Sequence, residues 1–304
     1  MYDVVIIGAG PAGLTAAIYS IRAGLSTIVL ESSVYGGQVA LTDEIENYPS
    51  IKKISGWELA QNIYDQAKEL GAEVIFEQVS GISEADGRYS VNTDKNSYPC
   101  RCVIIANGAK RRKLGCPGEA EFTGRGVSYC AVCDGAFFRG KTCAVIGGGN
   151  SALSSALYLS KLCEKVYLIH RRDSFSSEQQ LTEEVLSREN VNVLYNHQTM
   201  EITGDKLVTG VLLQNTAAKE QINLPLDAVF VAIGMEPDNA MFADILEVNE
   251  QGYLIADEEC RSCRPGIFVA GDTRTKEIRQ IITAASDGAI AATHAADFIN
   301  MHKA

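Results

Sequence analysis

Two stretches of the chain carry the same glycine-centred turn between an apolar run and a helix-like segment. In the first, Val4-Val5-Ile6-Ile7 leads into Gly8-Ala9-Gly10-Pro11-Ala12-Gly13. A helical stretch follows to about Ala23, then a second apolar run, Thr27-Ile28-Val29-Leu30, ending at Glu31. A continuous apolar run is what a parallel strand buried on both faces requires. The glycines permit a tight turn and close approach of backbone to a pyrophosphate, whose charge sits at the helix N-terminus. Glu31 is placed to accept hydrogen bonds from an adenosine ribose. This βαβ pattern commits the chain to an α/β architecture built on a parallel sheet.

The second stretch repeats it. Thr142-Cys143-Ala144-Val145-Ile146 runs into Gly147-Gly148-Gly149-Asn150-Ser151-Ala152, a helix predicted through about Cys163, and a strand from Lys165 to Ile169. Laying Gly147 on Gly8 matches Gly149 with Gly10, Ala152 with Gly13, Tyr158 with Tyr19 and Ile169 with Leu30. Two copies imply two dinucleotides, and they differ where specificity is set. Where the first copy has Glu31, the second has His170-Arg171-Arg172. A carboxylate there repels a 2′-phosphate and two arginines grip it. The first copy therefore reads as a site for a dinucleotide with a free 2′-hydroxyl, the second as an NADP(H) site.

A third feature lies between the copies: Cys130-Ala131-Val132-Cys133-Asp134. Two cysteines at this spacing close a small disulfide ring or present two thiols, with an acid beside them as proton donor. The same spacing also serves as half of a four-cysteine zinc site. Cys260-Arg261-Ser262-Cys263 is formally available as the other half, and on spacing alone both readings stay open. The four histidines, His170, His197, His294 and His302, show no ligand-like spacing. Cys100, Cys102, Cys116, Cys143 and Cys163 read as ordinary core or surface residues.

With 304 residues, the chain is long enough for two domains with real cores. A net charge of -11 and no basic stripe argue against nucleic acid as the main partner. No apolar run reaches the roughly 18 residues of a membrane span, and the N-terminus enters a strand with no signal-like segment. Nine scattered cysteines do not resemble a secreted disulfide framework. The expected compartment is the cytoplasm, where a persistent disulfide is usually catalytic.

Between the copies, Trp57 to Leu70 reads as an amphipathic helix with Leu59, Ile63 and Ala67 on one face. Strand-like runs follow at Glu73 to Phe76 and Tyr89 to Asn92, with a turn signal at Asp86-Gly87. Arg101 to Ile105 is a further strand, ending in Ala106-Asn107-Gly108-Ala109. Lys110-Arg111-Arg112-Lys113 reads as a solvated linker. Beyond the second copy, Ala228 to Gly234 is a buried strand and Glu236-Pro237-Asp238 a return linker. Gly266 to Asp272 is one more strand, with Asp272 at the end where open α/β sheets bind ligands. A last helix is predicted from about Arg279 to Ile299. The order implies insertion of one Rossmann-like, three-layer domain (residues 113–240) into another (residues 1–112 and 241–304).

Two nucleotide units, a Cys-x-x-Cys-Asp shortly before the second, and a late Gly271-Asp272 followed by Arg279-Gln280 resemble the low-molecular-weight thioredoxin reductases over essentially the whole chain. The resemblance implies FAD, NADPH, a homodimer and reduction of a thioredoxin disulfide. It places FAD contacts on Gly8, Gly10, Pro11, Ala12, Glu31, Gly36, Gly37, Gln38, Asn47, Asp272, Arg279, Gln280 and Ile281. NADPH contacts fall on Gly147, Gly149, Asn150, Ser151, Ala152, Arg171 and Arg172. Against this background zinc recedes, for want of supporting ligands. A ferredoxin-fed reductase and a nucleotide-bound redox sensor are the alternatives.

One position departs from the family. Its His-Arg-Arg signature is followed, after three intervening residues, by another Arg, and here that residue is Ser176; Ser154 and Ser155 are also uncharged where the family often carries acids. Loss of one charged hydrogen bond to phosphate costs about 1.5–3 kcal/mol, which narrows the gap to NADH. In the expected chemistry a hydride passes from nicotinamide to flavin, and the flavin reduces Cys130–Cys133. Because Cys133 directly precedes Asp134, it is assigned the flavin contact, and Cys130 the attack on the protein disulfide. Asp134 is the expected general acid or base. Disulfide and nicotinamide must take turns at the flavin, so the inserted domain is expected to rotate on linkers near 110–115 and 236–241.

Overall fold

The computed structural model describes residues 1–42, 45–85 and 87–302. The chain divides into two compact units, Met1–Lys110 with Glu236–Ala304, and Arg111–Met235. The return crossing falls earlier than the sequence boundary at 240/241, and Asn239 supplies the reason. Its buried amide donates to Gly252 O at 3.0 Å and Thr273 O at 3.2 Å, and its Oδ1 accepts from Thr273 Oγ1 at 2.9 Å. Three such bonds fix that residue inside the first unit.

The first unit is built on a seven-stranded sheet. Its path runs Glu73–Phe76, Thr27–Glu31, Tyr2–Ile7, Ser97–Ile105, Arg88–Thr93, Val79–Ala85, and Ile267–Val269 pairs with Ser97–Ile105 off that path. Tyr2–Ile7 is parallel to both neighbours, with Val4 opposite Thr27 on one side and Cys102 on the other. Val4, Val5, Ile6 and Ile7 are all buried, as a strand covered on both faces must be. The helix Pro11–Arg22 opens with Pro11 in its first turn, where proline's missing N–H costs nothing. It packs under the last helix, Ile281–Met301, where Gly288 permits the approach: a Cβ there would stand 2.1 Å from Ala12 O.

The second unit repeats the design on a five-stranded parallel sheet. Its order is Val191–Leu194, Lys165–Ile169, Thr142–Ile146, Ala228–Val231, Val127–Ser128. A three-stranded antiparallel sheet, His197–Gly204, Val208–Asn215 and Gln221–Pro225, completes it. The expected α/β class with two parallel-sheet units is thus the observed one.

Several local expectations shift. The helix predicted through about Cys163 ends at Ser160, because the chain turns over Lys161 and Leu162 to bury Cys163. The strand predicted to Gly234 stops at Val231, and the one to Asp272 stops at Val269, before Gly271 turns at φ +79°. The last helix starts at Ile281, so Arg279 precedes it and Gln280 caps it. Of the Asp86-Gly87 turn signal, Asp86 lies outside the described residues, and Gly87 has φ +69°.

Candidate functional site

The carboxyl ends of the first unit's parallel strands open into a cavity of about 790 Å³. Gly8, Gly10, Pro11, Ala12 and Glu31 line it from the first βαβ element, and Gly37, Gln38 and Asn47 from the segment that follows. Asp272, Arg279, Gln280 and Ile281 close it from the C-terminal part of the chain. Gly36 stands outside the lining. Its N–H donates to Ala9 O at 2.7 Å and anchors the following loop to the glycine turn.

The three turn glycines have different reasons. A Cβ on Gly8, at φ +104°, would lie 2.4 Å from Ala106 O, and one on Gly13 would lie 1.8 Å from Gly8 O. Gly10 meets nothing within 4 Å, so its bare backbone faces open space beside the helix N-terminus. The Glu31 carboxylate is held in place by the same turn. Oε2 accepts from Ala9 N at 2.9 Å, and Oε1 from Ser33 N at 3.0 Å and Ser32 Oγ at 3.2 Å.

At the opposite wall, burial pushes the Asp272 carboxyl above the usual carboxylate range, with Lys276 and Arg279 pulling it back down. Its Oδ1 is buried and, among the described residues, has no hydrogen-bond partner. Asn107 Oδ1 is in the same condition, while its amide donates to Asp238 O and Asn239 Oδ1, both at 3.1 Å. Buried acceptors are rarely left unmatched. Both residues line the cavity, which therefore suits a ligand bringing hydroxyl or N–H donors. An adenosine ribose at Glu31, a pyrophosphate at Gly10 and donors for Asp272 together match FAD. Asn107 was passed over in the sequence, although its place at the end of a buried parallel strand was a readable signal.

Asp272 is carried by a buried ionic network. Asp287 accepts from Arg274 Nε at 2.9 Å and Nη2 at 3.1 Å, from Lys276 Nζ at 2.8 Å, and from Gly271 N at 2.9 Å. Arg279, whose guanidinium sits 4.0 Å from the Tyr253 ring centre, donates to Asp272 O at 3.4 Å. Asn47 reaches Gln280 Oε1 at 3.2 Å.

In the second unit, register explains why two functional elements share one end of the sheet. Ser128 lies opposite Phe230, Phe230 opposite Val145, and Val145 directly precedes Ile146 and the glycine turn. The chain leaving the edge strand Val127–Ser128 therefore emerges at the same carboxyl edge as Gly147. Cys130 and Cys133 are joined there as a disulfide, with Cα atoms 5.3 Å apart; Cys130 caps the one-turn helix Ala131–Asp134 and Cys133 lies within it. Cys130, Cys133 and Asp134 are all half-buried. Ser128 Oγ donates to Asp134 Oδ2 at 2.6 Å and to Cys130 O at 3.2 Å, and accepts from Cys130 N at 3.0 Å. Sequence reading missed Ser128, since a serine two residues before the motif carries no pattern of its own. Arg111, taken with its neighbours as solvated, is in fact half-buried. Burial lowers its pKa, opposed by the charge of Asp134.

At the glycine turn, a Cβ on Gly147, at φ +151°, would stand 2.2 Å from Ala232 O. One on Gly149 would meet only Ser176 Oγ, at 3.8 Å. Ala152 is buried, Ser151 exposed, and the Asn150 side chain pairs reciprocally with Glu178, both bonds being 2.9 Å. Arg171 and Arg172 are exposed beyond the strand end. Ser176 folds back onto the turn, its N–H donating to Gly148 O at 2.8 Å. The residue where the family carries a third arginine thus braces the loop. Cys260 and Cys263, the formal second pair, belong to the other unit; Cys260 is buried with its thiol on Asp287 O at 3.6 Å, and Cys263 is exposed. No described helix is long and apolar enough to cross a membrane.

Residues 2–288 match the family model for pyridine nucleotide-disulphide oxidoreductases. A thioredoxin reductase of Treponema pallidum is 46% identical over 98% of this chain and 97% of its own length. Among solved structures, Lactococcus lactis thioredoxin reductase superposes with a TM-score of 0.91 at 41% identity, covering 99% of this chain and 100% of that one. The thioredoxin reductase of T. acidophilum gives 0.87 at 35% identity, covering 97% and 98%. With the fold, the two glycine turns and the paired cysteines in agreement, the chain belongs to the pyridine nucleotide-disulphide oxidoreductase family, among its thioredoxin reductases.

Proposed function

We propose that the protein is an NADPH-dependent reductase of a thioredoxin disulfide, working through Cys130 and Cys133 in the unit Arg111–Met235. The observation that carries this reading is the disulfide at the carboxyl edge of the sheet that also presents Gly147, with Asp134 held beside it by Ser128. The family implies FAD and a nicotinamide dinucleotide. FAD, when bound, supplies two-electron exchange between a nicotinamide and a disulfide.

In the first unit, Glu31 holds the ribose hydroxyls, Gly10 and Ala12 at the helix N-terminus hold the pyrophosphate, and Asp272 and Asn107 receive the buried donors. Gly36 braces Gly37 and Gln38, while Arg279, Gln280, Ile281 and Asn47 close the wall. In the second, Gly147, Gly149, Asn150, Ser151 and Ala152 hold the nicotinamide dinucleotide, and Arg171 and Arg172 meet its 2′-phosphate.

Once Cys130 and Cys133 carry the two electrons as thiols, Cys130 as thiolate attacks one sulfur of the substrate disulfide. That bond breaks, the leaving sulfur takes a proton, and a mixed disulfide forms at Cys130. Cys133 then attacks the Cys130 sulfur, releases the substrate dithiol and restores the disulfide. Asp134 moves the protons these steps require, and the Ser128 hydroxyl fixes which oxygen is free to do so. Hinging at the two crossings would let the disulfide and the nicotinamide alternate at the flavin.

With Ser176 in place of a third cation, the preference for NADPH over NADH is moderate. The intact glycine turn and both arginines favour a pyridine nucleotide over ferredoxin as donor. A homodimer in the cytoplasm is the assembly and compartment that fit the family. Steady-state reduction of a thioredoxin by each donor tests the reading. Turnover with NADPH supports it; no turnover with either nucleotide, alongside turnover with reduced ferredoxin, defeats it.

A further inference from the structure

Behind the second glycine turn, two more cysteines stand together. Cys143 lies in the strand Thr142–Ile146, and Cys163 follows the helix Asn150–Ser160 by three residues. Their sulfurs are 3.4 Å apart, closer than the other thiols' contacts, which run to backbone carbonyls: Cys102 to Ala295 O at 3.9 Å, Cys260 to Asp287 O at 3.6 Å. A disulfide needs about 2.05 Å between sulfurs, so closure takes about 1.4 Å of approach. The chain between them holds the whole element Gly147 to Ser160, and the two residues are 20 apart in sequence.

We propose that Cys143 and Cys163 are a second oxidisable dithiol, separate from Cys130–Cys133, which a small hydroperoxide converts to a disulfide across the base of the nucleotide-binding βαβ element. The pair is asymmetric. The hydrogen bond between them and burial push the Cys143 thiol up, while that same bond, aided by Arg139 and opposed by burial, draws Cys163 down. Cys163 is also the more accessible, at 6% exposed against 0% for Cys143. On that accessibility it is assigned the attacking role.

Cys163 sulfur takes the terminal oxygen of the hydroperoxide as the O–O bond breaks, becoming a sulfenic acid. The alkoxide or hydroxide that leaves is protonated by Cys143. The Cys143 sulfur then attacks the Cys163 sulfur, the S–S bond forms, and hydroxide departs as water on taking up a proton. Two thiols lose two electrons and two protons in all, and the hydroperoxide is reduced to an alcohol or water plus a second water. Closure ties the first residues of the strand to the end of the helix and stiffens the element that presents Gly147 and Gly149. The other buried thiols provide internal controls: burial pushes Cys100, Cys102 and Cys260 each up to about 12.

The test is a hydrogen peroxide titration of the flavin-loaded protein, first fully reduced and freed of reductant, then alkylated in denaturant and mapped by peptide mass spectrometry. The expected product is a Cys143–Cys163 cross-linked peptide, with Cys100, Cys102 and Cys260 still alkylated as thiols. Recovery of Cys143 and Cys163 as free thiols, or of Cys163 as sulfinic acid without the cross-link, once the exposed Cys263 is fully oxidised, overturns the proposal. In Cys143→Ser, which lacks the resolving sulfur, Cys163 should accumulate as a sulfenic acid trapped by a 1,3-dione. An unmodified Cys163 there contradicts its role as attacking thiolate. The wild-type mapping decides the question even if the variant folds poorly.

Discussion

The Ser128 hydroxyl donates to Asp134 Oδ2 at 2.6 Å while accepting from the N–H of Cys130. One serine therefore ties the proposed proton carrier to the backbone of the proposed attacking cysteine. Both depend on the edge strand Val127–Ser128, which is only two residues long but is paired in register with Ala228–Val231. Replacing Asp134 with Asn should preserve flavin content and slow flavin reoxidation by thioredoxin by about 10²–10⁴-fold, the usual worth of positioned proton transfer. Ser128→Ala should slow it less, by about tenfold, one net hydrogen bond's worth. Stopped-flow reoxidation of the reduced protein checks both, and an unchanged rate in Asp134→Asn would reduce that carboxylate to a structural role.

Replacing Cys130 with Ser should leave flavin reduction by nucleotide intact and eliminate reduction of thioredoxin. Continued turnover of a protein disulfide would place the active pair elsewhere, with Cys260 and Cys263 the next to examine.

In the proposed function, donor choice rests on Arg171 and Arg172, at the strand end where the first copy has Glu31. Each charged contact to phosphate is worth about 1.5–3 kcal/mol, so the two set a ceiling of about 10²–10⁴-fold, reduced by screening at an exposed site. Changing both to Ala should bring NADPH and NADH close to parity, mostly through KM. Ser176→Arg should sharpen the NADPH preference by up to about tenfold, equivalent to 1.4 kcal/mol. The brace from Ser176 N–H to Gly148 O uses backbone and survives that change. Comparing kcat/KM for both donors in the three proteins decides it; a wild-type preference for NADH would mean the arginines serve another purpose.

The Asp287 network should be the first unit's most costly polar feature to break. Asp287→Asn leaves buried Arg274 and Lys276 short of their countercharge, a loss of about 3–5 kcal/mol, and loosens Gly271 beside Asp272. Burial raises the Asp287 carboxyl, but bonds from Arg274 and Lys276 outweigh it and hold the pKa below its ordinary value. A carboxylate depressed on folding stabilises above its unfolded pKa of about 3.9 and loses that contribution as pH falls through the folded value. Thermal midpoints followed from pH 7 to 3 should therefore drop more steeply for wild type than for Asp287→Asn.

The parts of this molecule that were legible in the sequence are those whose chemistry is local in the chain. Gly8, Gly10 and Glu31 belong to one βαβ element, and its period and spacing announce it. The turn from Cys130 to Cys133 is equally self-contained. Asn107 and Asn239 act through partners that only the fold supplies: Asn107 meets Asp238 and Asn239, residues far along the chain. Ser128 is close in sequence to its partners Cys130 and Asp134, but a single serine carries no pattern. The antiparallel strands His197–Gly204, Val208–Asn215 and Gln221–Pro225 also went unread. In the first of them, register shifts between Thr199 and Glu201 and between Thr203 and Gly204 break the alternation. The pair Cys143 and Cys163 looked unremarkable for the same reason, since proximity of sulfurs is a property of the fold.

In the proposed reaction, electrons pass from a nicotinamide through flavin to Cys130 and Cys133. An anaerobic titration of the flavin-loaded protein with NADPH, followed by its absorbance and by alkylation of Cys130 and Cys133, measures that path directly. Bleaching of the flavin is expected, with appearance of two alkylatable thiols at those positions and return of both to the oxidised form on addition of oxidised thioredoxin. A flavin that NADPH and NADH both leave unbleached, or one that bleaches while Cys130 and Cys133 stay joined, would contradict it.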